Sequence, residues 1–79
     1  MTAEDLRDTR EQSPFRPFIL RVSDGRSFRI HHRDYLSISP DGRNVIVYKD
    51  DGGYHLLDPV LISGVDVEPV TAAPSPAAG

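Results

Sequence analysis

The sequence predicts a mainly β (α+β) domain, in which a short N-terminal helix precedes five or six antiparallel strands. The chain has 79 residues and no cysteine, so it suits one domain without a disulfide framework. Asp-Gly dipeptides, the residues typical of hairpin turns, recur at Asp24-Gly25, Asp41-Gly42 and Asp51-Gly52. Short strands joined by such turns favour a small SH3-like or Sm-like barrel, or a strongly curved sheet.

Residues 1–12 have the features of a helix. Thr2 is a suitable N-cap, and acidic side chains follow in the first turn, where the helix dipole favours negative charge. Leu6 is the only sizeable apolar side chain besides Met1, so the segment lacks an apolar stripe and is expected to be peripheral. Ser13-Pro14 ends it, because the residue before proline disfavours helical backbone.

The first hairpin is specified in register by its apolar pattern. A three-residue loop, Ser23–Gly25, with glycine at the bulge position pairs Leu20 with Phe28 and keeps one face apolar. This register places Arg21 and Arg29 on the outer face. A two-residue loop would mix apolar and charged side chains on both faces.

The next strands do not share this one-sided apolar pattern. Val45–Tyr48 is apolar on both faces, which predicts a central strand covered on both sides. Before this strand, a two-residue Asp41-Gly42 turn would pair Ile38 with Val45. Tyr54–Leu57 is the following strand.

The last predicted strand runs from Ile62 to Val67, with Gly64 as a bulge. Proline at Pro17 suits the start of an edge strand, so the first strand is predicted at a sheet edge. The β domain therefore spans residues 13–68. Residues 69–79, rich in proline and alanine, are expected to form a disordered tail.

Charge is unevenly distributed along the chain, although the net value is only −3. The stretch from Arg16 to Arg33 holds five arginines and one acid, whereas Asp34 to Glu68 holds seven acids against Arg43 and Lys49. Such polarity suits contact between unlike segments of one chain or of two copies. The candidate interaction surface comprises Arg16, Arg21, Arg26, Arg29, Arg33, Tyr48 and Tyr54.

No residue pattern points to catalysis, a cofactor or a metal. Adjacent His31 and His32 in a strand would point to opposite faces, and neither Asp34 nor His55 completes a ligand spacing. The serines lack a nucleophile-elbow context, and the glycines do not lead into a helix as in a phosphate-binding loop. We therefore expect a non-enzymatic protein. No apolar run is long enough to span a membrane, so we also expect a cytoplasmic location.

Several stretches resemble a family of short, uncharacterised bacterial proteins: Phe15–Leu20, Ser23–Phe28, His31–Tyr35 and Ile62–Val65. Members share an acidic helix, an RPFxPF segment, an SDGR hairpin and an HxxxF/Y pattern, and the family has no assigned activity. The resemblance implies the same architecture and no functional residue. The order of helix and strands is also similar to Sm-like proteins, as an analogy of architecture.

The sequence thus predicts a domain that binds protein, including a second copy of itself. A core drawn from 56 residues is small, and an apolar strand without a second layer needs a partner. The expected contact surfaces are the unpaired first or last strand and the face of Arg21 and Arg29. The alternative is an SH3-like or Sm-like nucleic-acid-binding module that uses the same arginines.

Overall fold

The computed structural model describes residues 1–69 and shows one short helix and six antiparallel strands. The strands form two three-stranded sheets, here called the first sheet (β2-β1-β6) and the second sheet (β3-β4-β5). The predicted α+β class and strand number are confirmed. The bounds are α1 Ala3–Arg10, β1 Phe18–Val22, β2 Ser27–Ile30, β3 Leu36–Ile38, β4 Val45–Tyr48, β5 Tyr54–Leu57 and β6 Ile62–Val67.

Helix α1 begins as predicted but is not peripheral. Thr2 is the N-cap, and its hydroxyl accepts a hydrogen bond from the Asp5 N–H at 3.1 Å. Leu6 is fully buried in the core, and the Met1 ammonium donates to the Ile62 carbonyl at 2.9 Å. The expectation of a peripheral helix is wrong, because one leucine, buried in the core that both sheets form, anchors the helix without a continuous stripe.

The β1–β2 hairpin has the predicted register, with Leu20 opposite Phe28. The Val22 N–H bonds the Arg26 carbonyl at 2.9 Å, so Ser23–Gly25 is the loop. Gly25 has φ of +99°, which other residues rarely adopt. Arg21 and Arg29 therefore lie on the outer face, as the apolar alternation requires.

The β3–β4 hairpin has the predicted pairing of Ile38 with Val45, but the predicted two-residue turn is wrong. The Ser39 N–H bonds the Asn44 carbonyl and the Gly42 N–H bonds the Ser39 carbonyl, both at 2.9 Å. The loop therefore has four residues, from 40 to 43. Its first residue is a proline, which suits the second position of a type I turn and has no N–H for a closing pair.

The prediction that the first strand lies at a sheet edge is wrong. Strand β1 lies between β2 and β6, and Pro17 precedes the ladder, where its carbonyl accepts from the Glu68 N–H at 2.8 Å. Strand β6 has the predicted bounds, and its register shifts where Arg21 and Val22 face Gly64 and Ile62. The extra residue of this bulge is Ser63 and not Gly64 as predicted, since Gly64 lies opposite Arg21.

The core lies between the inner faces of the two sheets and beneath α1. Residues 1–69 form two separate ladders, so closure into a barrel stays a prediction. Of the predicted tail at 69–79, residues 70–79 lie outside the described residues. The buried core residues are Leu6, Phe18, Leu20, Val22, Ile30, Leu36, Val45, Val47, Leu57 and Ile62.

Candidate functional site

The outer face of the second sheet carries an apolar patch, defined as Ile46, Tyr48, Tyr54 and Leu56. Ile46 lies opposite Leu56 and Tyr48 opposite Tyr54 across β4 and β5, so the four side chains share one face. Together they line a shallow depression of about 260 Å³. Tyr54 and Leu56 are each 61% exposed and Tyr48 is 40% exposed. Exposed apolar patches of this kind often mark contact surfaces.

Strand β4 was predicted to be covered on both faces, and this is wrong for the described residues. Its inner face is buried through Val45 and Val47, which point toward the first sheet. The opposite face is the apolar patch, over which no described element packs. Helix α1 instead lies against β3, at the side of the second sheet. A domain of this size has one core and no further layer for the outer face.

The arginines Arg21 and Arg29 lie on the outer face of the first sheet, where each meets an acid of the same chain. Arg21 forms an ion pair with Asp66. Arg29 donates two hydrogen bonds to the Glu68 carboxylate, from Nε at 2.9 Å and from Nη2 at 3.0 Å. The two carboxylates come from the C-terminal stretch that pairs with Pro17 and β1, so chain topology brings the unlike charges together.

Three further arginines of the candidate surface are also engaged within the chain. Arg26 donates from Nε to Asp24 at 2.8 Å within the first turn. Arg16 donates to the Gln12 side chain at 2.9 Å, and Arg33 donates to the Gln12 carbonyl at 2.7 Å. The five arginines are thus spread over a sheet face, a turn and the helix-to-strand junction, whereas Tyr48 and Tyr54 lie together on the second sheet.

These contacts shift the titration of the acids on the first sheet. The Arg29 guanidinium lowers the pKa of Glu68, and Glu68 raises the pKa of Arg29. A hydrogen bond from the Arg26 N–H lowers the pKa of Asp24. Both carboxylates are therefore held in their charged form by donors of their own chain.

A polar groove of about 330 Å³ separates β2 from the β4–β5 hairpin. Within it, the rings of Phe28 and His55 lie 4.5 Å apart. At one end, the ring of His31 contacts that of Tyr35 in a tilted arrangement, with 4.4 Å between ring centroids, and His31 Nε2 lies 3.8 Å from Asp50 Oδ1. A hydrogen bond to Asp50 raises the pKa of Tyr35.

The remaining residues considered for metal binding lie apart from this groove. His32 is the N-cap of the 3-10 turn at Arg33–Tyr35, and its Nδ1 is 3.5 Å from Asp34 Oδ2. Among residues 1–69, no group of three or more histidines and acids lies close enough to hold a metal ion.

The comparisons with family models, with curated proteins and with solved structures found no match for this chain. The resemblance of residues 15–35 and 62–65 to a bacterial family therefore stays a prediction. Within the described part of the chain, no helix combines the length and apolar character needed to cross a membrane.

Ile46 and Leu56 were absent from the predicted surface, although Tyr48 and Tyr54 were named. The signal was present in the sequence, since each missed residue is two positions from a named tyrosine and alternate residues share a strand face. The strands were too short to show by pattern alone which of the two apolar faces is inner.

Proposed function

We propose that this chain is a non-enzymatic β-domain that mediates protein–protein interaction through self-association, with the apolar patch as part of the contact surface. The observation that carries the proposal is the exposure of Tyr54 and Leu56, each at 61%, in a patch whose four members are uncharged. Water contact with such a face is unfavourable, and burial against another apolar surface removes it. A second copy offers the same face at the same concentration.

The arginine contacts favour protein binding over the nucleic-acid alternative. A phosphate backbone would have to displace Asp66 from Arg21 and Glu68 from Arg29, two acids of the same face. The chain also carries net charge −3, which opposes approach to a polyanion. The finer architecture that we propose is an SH3-like or Sm-like arrangement that stays open at β5 and β6, supported by the pairing of the last strand with the first.

Light scattering over a concentration series tests this proposal. We expect the average mass of the wild-type protein to rise with concentration, and that of Leu56→Lys to stay at one chain, because lysine places a charge in the patch. Val60→Lys is the matched control: Val60 is 77% exposed and apolar but lies on the 3-10 turn Pro59–Leu61, outside the patch. Wild-type protein that remains one chain throughout would contradict the proposal.

A nucleic-acid titration separates the alternative. Arg21→Gln combined with Arg29→Gln should leave the mass of the assembly unchanged, because neither side chain lies in the patch. If wild-type protein shifts RNA or DNA in a salt-dependent manner and this double variant does not, the nucleic-acid function is correct and the protein-binding proposal is wrong.

A further inference from the structure

We infer that the second copy binds head-to-tail, with the free edge of β5 in one copy pairing antiparallel with the free edge of β6 in the next. This inference rests on the proposed self-association and specifies its geometry. It follows from three features of the described residues: which strand edges are open, which backbone groups they present, and which side chains accompany those groups.

Two strands keep open edges. Strands β1 and β4 are internal. The edge of β3 is covered by α1, since Arg10 Nε donates to the Leu36 carbonyl at 2.6 Å and Arg7 Nη2 to the Ser39 carbonyl at 2.7 Å. Strand β2 directs the N–H and C=O groups of Ser27 and Arg29 away from β1, and the charged Arg29 on that edge disfavours strand pairing. The Met1 ammonium donates to the Ile62 carbonyl at the first residue of β6, so the accessible edges are those of β5 and of β6 beyond Ile62.

The ladder pattern identifies the backbone groups that each edge presents. The Lys49 N–H donates to the Gly53 carbonyl at 2.8 Å, so Lys49 and Gly53 form a hydrogen-bonded pair. Because bonded and non-bonded pairs alternate in an antiparallel ladder, Tyr54 and Leu56 direct their N–H and C=O groups away from β4. The Glu68 N–H likewise donates to the Pro17 carbonyl at 2.8 Å. By the same alternation, Val65 and Val67 direct their N–H and C=O groups away from β1. Each edge thus offers two residues, two positions apart.

The same alternation decides which side chains become neighbours. Residues that bond each other directly place their side chains on one face of the joined sheet, so Leu56 and Tyr54 of one copy adjoin Val65 and Val67 of the next. Val67 is 38% exposed, and Val65 is partly buried against the core. The pairing that satisfies the hydrogen bonds therefore also extends the apolar patch onto the rim of the neighbour's core.

The residues between these pairs favour pairing of a β5 edge with a β6 edge over pairing of two identical edges. With Val65 opposite Leu56 and Val67 opposite Tyr54, Asp66 lies opposite His55. The Asp66 carboxylate accepts from Arg21 through Oδ2, and its other oxygen can accept from an imidazole N–H. Two β6 edges in the equivalent register would place Asp66 opposite Asp66, and like charges directly opposite are destabilising. Two β5 edges in the equivalent register would place His55 opposite His55, so neither imidazole would meet a carboxylate.

Head-to-tail pairing uses a different edge toward each neighbour, so assembly continues until a ring closes or a filament forms. This property gives a mixing experiment. Leu56→Pro removes the outward N–H of β5 and Val67→Pro removes that of β6, and neither N–H bonds within the chain. Each variant lacks one edge and retains the other.

Light scattering on the separate and mixed variants is the measurement. We expect each variant alone to have the mass of one chain, and an equimolar mixture to contain a complex of two chains and nothing larger. Assembly of either variant alone to the wild-type mass would contradict the inference and indicate pairing of like edges. A mixture that stays at the mass of one chain would also overturn it.

Two controls make the result decisive. Circular dichroism checks that each variant is folded, and Leu56→Lys with Val67→Lys is the second pair if proline unfolds the chain. The mass of the wild-type protein separates the two proposals. Wild-type protein that never assembles contradicts self-association, whereas wild-type assembly with variants that do not complement each other contradicts only the head-to-tail pairing.

Discussion

The outer faces of the two sheets differ in the side chains that they carry and in what those side chains contact. On the first sheet, Arg21 and Arg29 meet Asp66 and Glu68, so charged side chains of the same chain satisfy one another in contact with water. On the second sheet, the outer face carries Leu56 and the other members of the apolar patch, which no described residue covers. The charges of the first face are paired within one chain, whereas the apolar side chains of the second stay in contact with water unless the proposed second copy covers them.

The largest expected effect contrasts a buried leucine with an exposed one. Leu6→Ala should lower the free energy of unfolding by about 2 to 5 kcal/mol, because it leaves a cavity between α1 and both sheets. Leu56→Ala, on the uncovered face, should change it little at dilutions where the protein is a single chain. Urea unfolding followed by circular dichroism measures both. Equal losses would show that the apolar patch is already covered within one chain.

The turns of the two sheets should respond equally, since they share one geometry. Gly25 in the first sheet and Gly52 in the second have φ of +99° and +93°. Alanine at either position should cost about 1 to 2 kcal/mol, because an L side chain is strained in left-handed backbone. Gly64→Ala is the control, since this glycine has open space and no positive φ. A loss at Gly64 as large as at Gly25 would contradict this explanation.

Acid should weaken the first sheet through its outer carboxylates. The pKa of Glu68 is lowered in the folded protein by Arg29, so its contribution is present above the unfolded pKa and is lost as pH falls through the folded value. The unfolded value for glutamate is about 4.3. We expect the urea midpoint to fall below that pH, and to fall less in Glu68→Gln. An identical pH dependence in the variant would exclude this pair as a cause.

The smallest effect is expected at the rim of the apolar patch. The Ser37 hydroxyl donates to the Tyr48 hydroxyl at 3.2 Å in contact with water. Ser37→Ala should therefore destabilise the protein by no more than about 0.5 to 1 kcal/mol. Ser27→Ala, an exposed serine on β2 of the first sheet, is the matched control and should have almost no effect. Thermal unfolding of the two variants is sufficient, and a larger loss at Ser27 would be the contrary result.

Much of the local structure was predictable because short-range chemistry specifies it. Thr2 caps α1, and the Leu20–Phe28 pairing follows from one requirement, that apolar side chains share a face. The four-residue loop at Pro40 was also readable in principle, since proline lacks the N–H that a tighter turn requires. The shared feature is that each contact joins residues close in sequence.

The candidate surface was predictable only in part, for a different reason. The cluster of arginines was visible in the sequence, but the identity of the acids that meet Arg21 and Arg29 depends on β6 returning to pair with β1, some 40 residues later. The burial of Leu6 similarly depends on where α1 lies relative to both sheets. Such long-range contacts have no periodic signal in the chain.

Backbone preferences and alternation over a few residues were enough to predict the α+β class, the helix start, the positions of the glycine turns and the register of the first two hairpins. Three features became evident from the folded arrangement alone: β1 is internal, α1 covers the β3 edge, and the apolar face of Leu56 points outward. These features depend on which faces and edges meet when the two sheets pack. With one core to fill, the molecule buries one face of β4 and leaves the other exposed.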